Sequence, residues 1–393
     1  MFSSTANRPR PRLFWFWQRG QSLPGAPPYA GSHGSKHLFA AAFLAHLRPR
    51  LLSPMTSLAS KNSPTTTAWF LRAPSMRLQR GFALAAVISN ALIAVTGAVV
   101  RVTGSGLGCP TWPECHPGSL VPVQRSQQSA LHQAIEFGNR TLTGVVLIAS
   151  LGTLVLLWRA RPQRRSVVKI ALLLPLGVLF QALWGGLTVL TGLVWWTVAP
   201  HMLVSLVIVF VATWIYQRLG EGDGPVRYTV PKPLVTLVWA TCAVLLALSV
   251  MGTLVTAAGP HAGDEKTARL DLPVPMLAQI HADLMFLYLG LLIALGVGLL
   301  AVSASPALRR RLWWLVGITM SQGLIGIVQY LTGVPEILVV FHVGGATLLV
   351  AAAGRLAFGT RARAAALGEH PAQDPARRSQ AGSANTQAVK QSA

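Results

Sequence analysis

Eight apolar stretches run through this chain, at about 81–102, 131–158, 167–190, 197–217, 234–256, 276–302, 312–331 and 337–358. A bilayer core about 30 Å thick takes about 20 helical residues to cross, so each stretch is long enough to span one. Only 11% of the residues are charged against 52% hydrophobic, where soluble domains carry roughly 25% charge. Lipid offers no partner to a backbone N–H or C=O, which restricts a spanning chain to helices or a closed barrel. The alternating pattern of a barrel strand is absent. The expected fold is therefore an all-α polytopic membrane protein with eight transmembrane helices.

The eight stretches divide into two matching sets of four. Gln181-Ala-Leu-Trp-Gly-Gly-Leu-Thr-Val-Leu-Thr191-Gly192 reads as a copy of Gln322-Gly-Leu-Ile-Gly-Ile-Val-Gln-Tyr-Leu-Thr332-Gly333, and each threonine lies ten residues before a histidine, His201 or His342. The offset is 141 residues for the glutamines and for the histidines. Gly97-Ala-Val-Val closes the first stretch as Gly252-Thr-Leu-Val closes the fifth, and a similar offset in the second stretch of each set puts Asn139 opposite His281. Four spans separate the copies, so both run in the same direction, as parallel repeats related by an axis along the membrane normal. Two pseudo-symmetric four-helix bundles side by side is the expected packing.

The net charge of +22 comes from short loops and tails, not from a basic face interleaved with aromatics, so no nucleic-acid partner is expected. Arg159, Arg161, Arg164 and Arg165 follow the second span; Arg218, Arg227 and Lys232 follow the fourth; Arg309, Arg310 and Arg311 follow the sixth; Arg361 and Arg363 follow the eighth. The opposite loops hold only Arg125, Lys266 and Arg269. The positive-inside rule then puts both termini in the cytoplasm and the long loops 103–130 and 257–275 outside. Residues 1–76 have nine Lys or Arg and no acid, which reads as a transit-peptide-like or disordered extension, or as sequence upstream of an internal start at Met55 or Met76. The expected domains are that extension, a first bundle (77–218), a cytoplasmic linker (219–233), a second bundle (234–359) and a disordered polar tail (360–393).

Polar groups inside a membrane are functional candidates. In the second half, His281 and His342 sit at the same depth on different helices. Neutral imidazole suits iron, copper and zinc; zinc wants four donors and this half offers no thiolate. Haem needs one or two axial imidazoles and a slot for a flat ring, which Gly344 and Gly345 leave open. Structural histidines or another metal are the alternatives. In the first half His201 faces a span beginning His132-Gln-Ala-Ile-Glu136-Phe-Gly-Asn139-Arg140, in which residues 132, 136, 139 and 140 share a helix face. Glu136 and Arg140 are either a structural i,i+4 pair, or an acid–base group and a cation for a ligand carboxylate. Cys109 and Cys115 share one outward loop, as a structural disulfide, a redox-active one, or with His116 a metal site. Cys242, alone in a span, is expected to be a small core residue.

The run Gly97-Ala-Val-Val-Arg101-Val-Thr-Gly-Ser-Gly106-Leu-Gly-Cys109-Pro-Thr-Trp-Pro-Glu-Cys115, with Glu136-Phe-Gly-Asn139-Arg140 and the histidines 201, 281 and 342, resembles the haem A synthases over roughly residues 77–358. The form of the first loop is most similar to the actinobacterial branch. The resemblance implies conversion of haem O to haem A, one ring methyl being oxidised through an alcohol to a formyl group. It implies haem b on His281 and His342, haem O as substrate under His201, Arg140 helping to place it, and Glu136 as the catalytic acid or base. It also implies a Cys109–Cys115 disulfide, a bacterial cytoplasmic membrane, and partnership with a haem O synthase and with haem-copper oxidase assembly. Many members have histidine where this chain has Asn139, so an amide faces the substrate iron unless His132, about 10 Å along the helix, takes its place. The alternative is a quinol-linked di-haem b-type electron carrier that modifies no haem. Bilayer lipid is the other expected partner, and the sequence is compatible with a homo-oligomer.

Overall fold

The computed structural model describes residues 73–124, 128–160 and 165–363. Most of the basic extension and all of the tail beyond residue 363 lie outside the described residues. Among those described, eight helices are long and apolar enough to cross a membrane: α1 (Met76–Val102), α2 (Ala130–Arg159), α3 (Arg165–Leu190), α4 (Trp195–Arg218), α5 (Lys232–Ala258), α6 (Val274–Ala301), α7 (Pro306–Leu331) and α8 (Glu336–Gly359). The protein is an integral membrane protein built of helices.

Local sequence explains where the helices start, break and stop. Ser75, Ser129 and Ser305 each accept a hydrogen bond from the backbone N–H three residues on, satisfying one of the donors a helix start leaves orphaned. Three other starts use proline, with Pro231, Pro273 and Pro335 at the N-caps of α5, α6 and α8. In α3 a one-residue break at Leu172 follows from Pro175, which has no N–H for the carbonyl of Ala171 and whose ring crowds that carbonyl. Both copies of the repeat end their third helix alike. Leu193 N–H bonds to Thr188 O and Val334 N–H to Gln329 O, a left-handed exit from a helix. Gly192 and Gly333 precede them at φ 70° and 76°, while Leu193 and Val334 are both at φ 62°. A β-branched valine seldom adopts that conformation.

The same helix pairs touch in both sets of four. Within the first set α1 packs on α2 and α4, and α3 on α2 and α4; within the second, α5 packs on α6 and α8, and α7 on α6 and α8. Across the seam α1 and α4 meet α8, and α4 meets α5. The large buried apolar clusters lie toward one end. Leu157, Val167, Leu174 and Ile215 are buried in the first set, and Leu292, Leu295, Leu299, Leu315 and Leu356 in the second. That end carries the chain's connectors. The opposite end, beneath the long loops 103–130 and 259–273, holds a cavity instead. Outward faces stay apolar, with Ile148, Leu183, Phe286, Leu324 and Leu331 exposed, as suits helices solvated by lipid.

Helices outrun the hydrophobic stretches that announce them. α7 begins at Pro306, six residues before the apolar run, because Arg309, Arg310 and Arg311 are good helix formers and extend it beyond the hydrocarbon. Two further segments depart from expectation. Val226–Tyr228 in the linker forms strand β1, and Arg361–Arg363, at the head of the polar tail, forms β2; they pair antiparallel, Val226 opposite Arg363. Beside them Arg218, 1% exposed, is bound to Asp223 at 2.7 Å, Ser166 Oγ at 2.8 Å and the Gly222 carbonyl at 2.8 Å. A buried guanidinium is tolerated here because its donors are satisfied.

Candidate functional site

A single continuous cavity of about 860 Å³ reaches into both sets of helices and brings together His201, His281, His342, Glu136, Asn139 and Arg140. His132 is not among its lining residues. In the second set, the rings of His281 on α6 and His342 on α8 face each other with centroids 6.4 Å apart and planes at 63°. A metal–nitrogen bond of ~2 Å on each side, plus about 1 Å from ring nitrogen to ring centre, spans roughly 6 Å. One ion fits between them. No group of three or more His, Cys, Asp or Glu among the described residues is placed to hold a metal. Two opposed imidazoles with no further side-chain donor suit an iron whose other four ligands come from a macrocycle. The Nδ1 atom of His342 is buried without a hydrogen-bond partner, while His281 is steadied by the backbone of Leu248 on α5.

Glycines make the room. A Cβ on Gly252 of α5 would lie 3.1 Å from His281 Cε1, and one on Gly326 of α7 would lie 3.8 Å from His342 Cε1. In the first set Gly185 of α3 sits under His201 in the same way, its Cβ position 3.3 Å from Cε1. Gly185 and Gly326 each precede their histidine by sixteen residues. His201 Nδ1 is likewise buried and unpartnered. Gln181 Nε2 donates to the His201 carbonyl at 2.8 Å and to Ser205 Oγ at 2.6 Å, fixing this stretch of α4 against α3.

Opposite His201 the first set differs from the second. Asn139 Oδ1 accepts a 2.7 Å hydrogen bond from Thr96 Oγ1 of α1, which holds the amide against a neighbouring helix. Glu136, 6% exposed, takes a 2.9 Å ion pair from Arg140 Nε. Every nitrogen of that guanidinium is engaged: Nη1 donates to the carbonyls of Thr111 at 2.9 Å and Glu114 at 3.3 Å, and Nη2 to that of Cys109 at 2.6 Å. Arg140 thus ties the carboxylate to the loop above it.

That loop is closed by a disulfide between Cys109 and Cys115, both fully buried, so the cysteines are not ligands with His116. His116 Nε2 instead pairs with Gln133 Oε1 at 2.9 Å. Trp112 of the loop packs on Gly186, where a Cβ would come within 2.5 Å of the indole, and lines the cavity. Gly108 lies against the His132 carbonyl so closely that any side chain would overlap it. Gly106 N–H bonds to Gly263 O at 2.9 Å, joining the outward loops of the two sets.

The sequence flags the histidines and the carboxylate but not the groups that shape their surroundings. Thr96, Gln181 and the three glycines under the rings carry no chemical signature alone. Gly185 and Gly326 do recur at one position of the repeat, which was the available signal.

These features define a polytopic membrane protein with an opposed pair of imidazoles and a third that shares one cavity with a buried carboxylate, under a disulfide loop. Residues 80–353 match the family described as cytochrome oxidase assembly protein, and the chain belongs to that family. It is 38% identical over 132 residues to "Heme A synthase" of Lysinibacillus sphaericus, covering 33% of this chain and 41% of that one. It is 30% identical over 174 residues to "Heme A synthase" of Staphylococcus haemolyticus, covering 43% and 56%. A third similarity, 34% over 94 residues, is to "Protoheme IX farnesyltransferase" of Thermus thermophilus, covering 24% and 15%. The matches thus span about half the length of these two "Heme A synthase" relatives and a small part of the farnesyltransferase.

Proposed function

We propose that this protein is a haem A synthase, oxidising one ring methyl of haem O through a hydroxymethyl to a formyl group for haem-copper oxidase assembly. The observation that carries the reading is the meeting, in one cavity, of the His281–His342 pair with His201 and Glu136. An electron carrier alone has no need of a buried carboxylate beside the third imidazole. The relatives named "Heme A synthase" support the same reading.

Haem b, held by His281 and His342, supplies one-electron transfer when bound. Gly252 and Gly326 keep space beside those rings. In the first set His201 holds the substrate from one face. Asn139 is an amide committed to Thr96 and would be a poor iron ligand, so His201 would be the residue of this half that holds the substrate. With water as the source of the oxygen atom, the methyl gives up electrons and protons together; the electrons would leave by way of the haem b half to an external acceptor, and Glu136 would take the protons. Arg140 sets the position of Glu136 and places the substrate through the loop it anchors. The disulfide loop, with Trp112 seated on Gly186, covers the first-set site.

By the charge asymmetry of its loops the chain lies in the bacterial cytoplasmic membrane with both termini inside. The disulfide loop then faces the oxidising side. The first set (77–218) is the substrate half and the second (234–359) the haem b half. A haem O synthase upstream and the oxidase assembly route downstream are the partners. The test is to express the chain with a haem O synthase and analyse extracted haems by chromatography. A formyl product is expected, lost in Glu136→Gln while bound haem remains. Haem O recovered unchanged from the wild type would sink the proposal.

A further inference from the structure

One cation in the cavity wall has no use in that scheme. Arg101 closes α1 and reaches across the seam, its Nη2 donating to the Thr256 carbonyl at the end of α5 at 2.8 Å. Gly97 aligns with Gly252, and the same offset of 155 residues aligns Arg101 with Thr256. The guanidinium therefore bonds to its own counterpart in the repeat, and one set carries a charge where the other carries a hydroxyl. Arg101 lines the cavity directly under the joined loops, with a Cβ position on Gly263 4.0 Å from its Cγ.

Among the described residues this is its one side-chain hydrogen bond, and no carboxylate lies within ion-pair reach. The nearest charge that acts on it is a second guanidinium, Arg269, whose donors go to the carbonyls of Gly259 and Pro260. Two other enclosed arginines are paired with acids, Arg140 with Glu136 and Arg218 with Asp223. A guanidinium walled by protein, beside a like charge and lacking a counter-ion, is costly unless something brings the anion. The forked donors of arginine match a carboxylate.

We propose that Arg101 is the carboxylate-binding residue of the cavity and pairs with a propionate of a tetrapyrrole held beneath the outward loops. The inference rests on the haem reading above, and the propionate belongs either to haem b or to haem O. The test uses the full chain purified from haem-deficient cells, as wild type, Arg101→Lys and Arg101→Gln. Each is titrated with haem b, haem O and haem b dimethyl ester and followed by Soret absorbance. A charge-assisted hydrogen bond lost to a neutral residue corresponds to roughly ten- to a hundred-fold weaker binding. Arg101→Gln is expected to lose that much for haem b or for haem O, whichever owns the carboxylate. Arg101→Lys loses less. Binding of the diester, which has no carboxylate, stays at the wild-type value and shows that the variant is folded. Equal weakening for acid and diester, or none for any probe, overturns the assignment. A wild type that binds no tetrapyrrole overturns the underlying reading instead.

Discussion

Replacing Arg140 by methionine keeps most of the side chain's length and removes its charge. Four contacts vanish: the ion pair to Glu136 and the bonds to the carbonyls of Cys109, Thr111 and Glu114. Bonds to a charged group are worth about 1.5–3 kcal/mol each, but contacts sharing one side chain do not add, and water re-solvates part of the loop. The dominant loss is the buried Glu136 left without a partner, about 3–5 kcal/mol. For a protein of this size each kcal/mol moves the midpoint by ~2 °C, so Arg140→Met should melt roughly 6–10 °C lower in detergent. Glu136→Gln introduced alongside it removes the stranded charge and should restore about half of the drop. The assay is a thermal unfolding scan of the four proteins of that cycle. A double variant melting no higher than Arg140→Met, or an Arg140→Met that melts like the wild type, would refute the argument that this pair holds the loop.

Other outcomes follow from the same coordinates. His281→Ala and His342→Ala should each abolish the low-spin signal of a bis-imidazole haem in electron paramagnetic resonance, while His201→Ala leaves it intact. Asn139→His, at the cost of the Thr96 bond, should add a second bis-imidazole signal, and the signal should vanish again in Asn139→His/His201→Ala. Gly345→Val pushes a side chain into Gln322; overpacking of this kind costs about 1–3 kcal/mol and should show as a lowered midpoint in detergent. Cys109 and Cys115, both buried, should resist maleimide after mild reductant and label only once the protein is denatured.

The architecture was legible because lipid imposes a length and a composition that survive any detail of packing. The repeat then aligned His201 with His342 and Asn139 with His281. Its histidines could be found from one sequence because a polar ring in an apolar run is conspicuous. What packing decides was not visible. Thr96 and Asn139 lie 43 residues apart and meet only because α1 and α2 cross. Sequence left Arg140 either as a structural partner of Glu136 or as a cation for a ligand carboxylate, because the carbonyls that engage it belong to a loop whose path depends on Cys109–Cys115. The strands β1 and β2 are three residues each, too short for any alternation to register, and 361–363 read as the start of a polar tail. The Arg101–Thr256 contact required both the repeat and the seam.

The pairing of β1 with β2 acts as a clasp. One strand leaves the first quartet of helices and the other leaves the second, so the hydrogen-bonded ladder joins segments that a cut between Tyr228 and Lys232 would put on separate polypeptides. Two genes each encoding one quartet would then carry complementary strands, and since so short a ladder is not stable alone, it would close only after the helix faces had met.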